Sequence, residues 1–242
     1  MTQMNSIWTL AEWVTHYPKA VTVFEAHQLD YCCGGKRSLQ EACAEKGLEM
    51  ATVVSELQAI EAASLSATHD TTDYGRLPLS ELCDHIEFTH HVYLRSHLPR
   101  LEQLLTKVLT AHGLQHPELE DVANVFRTLT AELVPHMLKE EHVLFPAIRR
   151  LATAESHCQF PFGSVQNPIR MMEHEHDIAG RCLHELRRLT HDYAPPEDAC
   201  ATWRQLLQGL QELEQDLHLH IHKENNILFP AAARLEAAHE NG

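Results

Sequence analysis

The stretch HMLKEEHVLFPA (136–147) recurs as HIHKENNILFPA (220–231), with His136 matched by His220, Glu140 by Glu224, and the Leu-Phe-Pro-Ala ending kept in place. On a helix of about 3.6 residues per turn, positions four apart lie about 40° from each other and about 6 Å along the axis, so each histidine points the same way as its glutamate. The flanking sequence says which way that is. Leu206, Leu210, Leu213, Leu217, His220, Glu224 and Ile227 advance by threes and fours, the stripe of a helix facing a core. A second stripe runs through Ile169, Met172, His176, Ala179, Leu183 and Leu186, with His176 in its middle and His174 off it. A single histidine on such a stripe is ordinarily a hydrogen-bonded core residue. Two glutamates at equivalent repeat positions are different, because a buried carboxylate costs several kcal/mol unless it is paired or coordinated. Cations at the centre of a bundle would neutralise both.

Working outward, residues 78–242 hold four long segments of helical period, broken near Gly113 to Pro117, Leu151 to Pro168 and His191 to Pro196. No run alternates with period two, so the expectation is all-α: a four-helix bundle with approximate two-fold symmetry from the repeat. Residues 1–65 read as a small domain of short helices. Thr9 with Glu12 and Ser38 with Glu41 form capping-box patterns, Pro18 suits a first helical turn, and DYCCGGKR (30–37) interrupts the helices. The polar stretch across 66–77 reads as a linker.

Composition narrows the function. With 34 acidic against 19 basic side chains and a formal charge of −15, the 242-residue chain lacks the basic surface that a nucleic-acid partner requires. No segment approaches the apolar length of a membrane span and the start has no leader pattern, so a cytoplasmic protein is expected. The seven cysteines follow no disulfide framework, and reduced thiols are expected. Histidine, the commonest metal-ligating side chain, is present 20 times.

The first bundle segment leaves its ligand open. Against the stripe Leu94, Leu98, Leu101, Leu105 and Val108, His90 lies about 40° to one side and His91 about 60° to the other, by the α-helical step of about 100°. His85 falls on the opposite face and is expected to be exposed. Imidazole and carboxylate without thiolate favour iron, manganese or zinc over copper(I) or an iron–sulfur cluster. If both glutamates bridge, each of two ions receives four protein ligands, leaving positions for an oxo or hydroxo bridge and for a small molecule such as O2 or NO. A rival set follows the ferritin-like pattern, Glu87 with His90 and Glu173 with His176, completed by Glu140 and Glu224. It would leave His136 and His220 without a role, which their repetition argues against.

DYCCGGKRSL (30–39), HMLKEEHVLFP (136–146), MEHEHDIAG (172–180) and HIHKENNILFP (220–230) together resemble the RIC (repair of iron centres) family over essentially the whole chain. Its members carry a hemerythrin-like di-iron domain behind a small ScdA-type N-terminal domain. The resemblance selects His91 over His90 and implies a ligand set of His91, His136, Glu140, His176, His220 and Glu224 for two irons. It places Glu132 and Glu175 among acidic positions near the metals. One departure is Pro135, directly before a ligand, where a kink near 131–135 is expected. The resemblance implies a homodimer and a stress-response role: restoring iron–sulfur clusters damaged by nitric oxide or peroxide, with damaged iron–sulfur proteins as iron recipients. An NO-reducing enzyme and a sensor or store of O2, NO or iron are the alternatives. Cys32 and Cys33 are candidate reactive thiols, with Lys36 and Arg37 placed to favour thiolate. Cys43, Cys83, Cys158, Cys182 and Cys200 read as ordinary helix or loop residues.

Overall fold

In the computed structural model, residues 8–64, 73–154 and 158–241 are described, and their only extended pairings are isolated bridges, Thr9 with Ser38 and Phe160 with Gly163. The N-terminal part folds as α1 (Leu10–His16), α2 (Ala20–Ala26), α3 (Leu39–Lys46) and α4 (Met50–Ser64). Both expected capping boxes form, with Thr9 and Ser38 accepting from the amides of Glu12 and Glu41 while those glutamates accept in return. Pro18 lies just before α2, in a turn whose carbonyl accepts from Val21 at 3.3 Å. Gly47 closes α3 at φ +66, a left-handed conformation that other residues adopt at a cost. Leu10, Trp13, Phe24, Tyr31, Leu39 and Val53 are buried in a core of their own. The expected linker lies outside the described residues as far as position 72; beyond it, Tyr74–Arg76 forms one 3-10 turn.

Four rods follow. The first is α5 (Leu79–Ile86), a turn over Glu87–His91, and α6 (Val92–His112); the second is α7 (Glu118–Lys139), a turn over Glu140–Leu144, and α8 (Phe145–Thr153). The third is α9 (Gln166–Leu189), and the fourth is α10 (Ala201–Lys223), a turn over Glu224–Leu228, and α11 (Phe229–Asn241). All three interposed turns are π-helical, wider than the α-helix. In the second and fourth rods the turn runs into Pro146 or Pro230. Proline offers no amide and presses on the carbonyl four residues back, and the wider turn accommodates it without ending the rod. Helix α7 is continuous through Pro135, and the backbone widens further along, at Glu140–Leu144.

Helix α6 packs on α7 and α10, and α9 on the same two, which closes a four-helix bundle. Its core divides. Leu94, Leu133, Met137, Ala179, Leu217 and Ile221 belong to one apolar cluster; Ile86, Leu144, Met172 and Ile227 belong to the other. On each rod the histidines and glutamates of the repeat and its partners fall between these two clusters, as a polar layer sealed on both sides.

The N-terminal part is fastened to α10. Glu25 accepts from Tyr31 Oη at 3.0 Å and pairs with His218 Nδ1 at 2.7 Å. Burial opposes the charged forms of both groups, yet their pairing wins: Glu25 is held below its ordinary value of 4.5 and His218 above its ordinary 6.5. The sign follows for each group. Glu25 stabilises above its unfolded pKa and loses its contribution as pH falls through the lowered value; His218 stabilises below its unfolded pKa and loses its contribution as pH climbs through the raised one. The junction is therefore strongest between about pH 4.5 and 6.5. Hydrogen exchange across α2 should show maximal protection in that window. Glu25→Gln should abolish the maximum and cost about 2 kcal/mol, as for a hydrogen bond to a charged group; an unchanged pH profile would refute the assignment.

Candidate metal centre

His91 closes the wide turn of the first rod, and His176 sits mid-way along α9. His136 and His220 lie in the last turns of α7 and α10, while Glu140 and Glu224 open the wide turns that follow. None of the six is more than 2% exposed. Glu140 turns Oε2 toward His91 Nε2 at 3.3 Å and Oε1 toward His136 Nε2 at 3.5 Å. Glu224 turns Oε1 toward His220 Nε2 at 3.0 Å and Oε2 toward His176 Nε2 at 3.1 Å. The donor atoms thus form two groups, one around His91 and His220 and one around His136 and His176, each within 4.8 Å and each including both glutamates.

The chemistry of these atoms fits cations. Both oxygens of Glu140, Glu224 Oε2 and His91 Nε2 are buried without a hydrogen-bond partner, although charged neighbours stand within 3.5 Å. They converge on common points instead of aligning a hydrogen with an acceptor. Burial alone would pull His91 and His176 down, but the facing glutamates outweigh it and push both imidazoles up to about 9. Without a cation, protons are what the carboxylates attract; a metal ion binding here displaces them.

The outward Nδ1 atoms are anchored. His91 Nδ1 lies 2.6 Å from Glu141, itself held by Arg95 at 2.6 Å. His136 Nδ1 lies 2.9 Å from Glu175, which also pairs with Lys139. Its hydrogen bond with His136 brings Glu175 down to about 2. His176 Nδ1 lies 2.8 Å from Asn225 Oδ1. Such partners fix the tautomer, leaving the Nε2 lone pair directed inward. Phe145 stacks on His91 and Phe229 on His176. Glu141 and Asn225, which the sequence pattern does not single out, occupy equivalent places in the repeat, as do the two phenylalanines. Glu132, expected near the metals, is half-buried and hydrogen-bonds to none of these histidines; burial, with a smaller contribution from its charge, raises the Cys182 thiol.

Neighbouring candidates go elsewhere. His90 is buried but turns to Asp216 at 2.8 Å and Lys223 at 2.7 Å. His85 is half-buried, not exposed, 2.8 Å from Lys223 Nζ. The wide turn explains both outcomes, since it advances each residue by less than the α-helical step used to place them. In the ferritin-like set, Glu87 pairs with Arg149 at 2.8 Å and Glu173 lies 4.0 Å from Lys36, so neither joins the donor groups.

Residues 84–232 match the family described as hemerythrin HHE cation binding domain, and residues 8–61 match a domain of unknown function, DUF542. The chain is 37% identical to the iron-sulfur cluster repair protein YtfE of Yersinia pestis (strain Pestoides F), over 90% of this chain and 93% of that protein. It is 39% identical to the protein of the same name from Edwardsiella ictaluri, over 92% and 95%, and 36% identical to that of Citrobacter koseri, over the same shares. The chain belongs to the YtfE family. The hemerythrin match takes in all six converging side chains and implies a metal-binding site of the kind iron occupies within residues 84–232. No helix among the described residues is long and apolar enough to cross a membrane.

In this YtfE-family chain the adjacent cysteines sit against the centre. Asp30 Oδ1 accepts from the amides of Cys32 and Cys33 at 3.1 and 3.0 Å, folding the loop so that the two sulfurs stand 3.9 Å apart. Cys33 Sγ approaches the His176 carbonyl at 3.8 Å, and Asn226 donates to the Cys32 carbonyl at 2.9 Å. The expected cations are absent from the sulfurs' contacts: Lys36 is directed at Glu173 and Arg37 pairs with Glu45. Instead the hydrogen bond from Cys32 lowers Cys33, while Cys32 itself is raised by that bond and by burial. Cys33 is therefore the more acidic thiol.

Proposed function

We propose that the chain is a di-iron protein that supports repair of iron–sulfur clusters damaged by nitrosative or oxidative stress, by giving up iron to the damaged protein. One observation carries the di-iron reading: each buried glutamate presents one oxygen to each histidine pair. A bridging role for Glu140 and Glu224 accounts for that arrangement, and two divalent ions offset two carboxylates that otherwise lie buried at a cost. Iron bound there supplies a Lewis-acidic and redox-active centre with positions open to NO or O2. The chain's own contribution is to hold four imidazoles as neutral Nε2 donors and to exclude water with the apolar clusters on either side.

Repair is supported by the names of the relatives and by the placement of the thiols. Asp30, Cys32 and Cys33 offer donor atoms within 4.8 Å of one another, on the floor of a cleft of about 650 Å³ that Arg37, Arg181 and His218 also line. Thiolate sulfur is a strong ligand for iron, and the pair stands one carbonyl away from His176. The test mixes the iron-loaded chain with a cluster-depleted dehydratase, following iron transfer and recovered activity, with NO consumption measured alongside. The chain should restore the dehydratase. Cys32→Ala with Cys33→Ala should keep the iron content and visible spectrum while losing most of the transfer. Wild-type transfer by that variant would sink the thiol role; NO turnover with no transfer by the unaltered chain would assign the centre to NO reduction.

A further inference from the structure

The two halves of the centre differ in how the outer nitrogens of their histidines are held. Superimposing the repeat pairs Lys139 with Lys223 and Glu141 with Asn225, and the residue before each remaining ligand histidine is Glu175 in one half and His90 in the other. In the first half, Lys139 holds Glu175 and Glu175 holds His136 Nδ1. In the second, Lys223 reaches His90 at 2.7 Å, but His90 brings no carboxylate to His220. Its ring lies parallel to the His220 ring at 5.1 Å, with Asp216 on its far nitrogen at 2.8 Å. His220 Nδ1 is buried and meets no hydrogen-bond partner among the described residues. Every other ligand histidine has one: Glu141, Glu175 or Asn225.

An outer partner on a metal-bound imidazole raises its basicity and fixes its ring, and losing one typically weakens metal binding about 10–100-fold. Stacking orients a ring but supplies neither an acceptor for the Nδ1 hydrogen nor a charge along it. The two ions of the di-iron reading are then held unequally. We propose that the ion between His91 and His220 is the exchangeable one, the iron that leaves first, and that His90 in the place of a carboxylate makes it so. This rests on the di-iron reading and adds to it a division of labour: the His136–His176 position retains its iron while the His91–His220 position turns over.

The experiment loads the full chain with Fe(II) under anaerobic conditions and follows its capture by excess ferrozine. Two phases of equal amplitude are expected, their rates differing about 10-fold or more. His90→Glu gives His220 a carboxylate backed by Lys223, reproducing the Lys139–Glu175–His136 arrangement, and should slow the fast phase until the two merge. Glu175→Gln removes the charge behind His136 in the other half and should speed the slow phase toward the fast one. A single phase in the unaltered chain overturns the inference, as does a folded His90→Glu variant with unchanged phases. Should His90→Glu fail to fold, Glu175→Gln decides alone, and an unchanged slow phase overturns the inference. Failure of the underlying reading looks different: the loaded chain would then hold fewer than about two irons before any chelator is added.

Discussion

Replacing Glu224 with leucine is expected to empty both metal positions, not one. Its two oxygens face different histidine pairs, His220 at 3.0 Å and His176 at 3.1 Å, so each ion loses a ligand and the charge that offsets it. Glu140→Leu should do the same through His91 and His136. Iron should fall from about two per chain to well under one, because the remaining ligands are shared with the other carboxylate alone. In the metal-free fold the same substitution removes one member of a buried charge pair with His176 and His220, and should cost about 3–5 kcal/mol. Iron analysis and thermal unfolding of the metal-free protein check the two halves of this expectation. A variant that keeps one full equivalent of iron would show that the glutamate serves one ion, and an unchanged metal-free stability would show that the carboxylate is not paired with the histidines.

The second large effect separates two neighbours. His91→Leu removes an inward Nε2 and leaves Glu141 and Arg95 facing an apolar side chain, so iron at that position should be lost along with most of the binding there. His90→Leu breaks contacts to Asp216 and Lys223 and the stacking on His220, but removes no donor atom of either group. Its iron content should stay near that of the unaltered chain, and its main cost should be stability, from leaving buried polar partners unsatisfied. Metal analysis of the two purified variants is sufficient. The reverse order would move the site toward the Glu87–His90 arrangement that the geometry disfavours.

Much of this centre was legible because the repeat exposes it. Identical residues at matched positions in two core stripes name His136, Glu140, His220 and Glu224, and the stripe through Met172 and Ala179 adds His176. The anchors Glu141 and Asn225 were in the same repeat. The sequence does not pair them, because one is acidic and the other neutral; their equivalent work on His91 and His176 is visible only in the structure. The first rod defeated the reading for a geometric reason. Phase arguments assume one turn width, and the chain widens at Glu87–His91, the segment where His90 had to be told from His91. Pro135 does not end α7, and the wide turns fall at Glu140 and Glu224, ahead of Pro146 and Pro230. The contacts of Cys33 with α9 and of Asn226 with the cysteine loop join residues far apart in sequence, and no pattern in the chain announces them.

The central claim is that two ions share two glutamates between two histidine pairs. Anomalous diffraction at the iron absorption edge from crystals of the iron-loaded chain tests it most directly. The account predicts two anomalous peaks, one flanked by His91 and His220 and the other by His136 and His176, each in contact with Glu140 and Glu224. A single peak, or a peak ligated by His90 with Glu87, would contradict it.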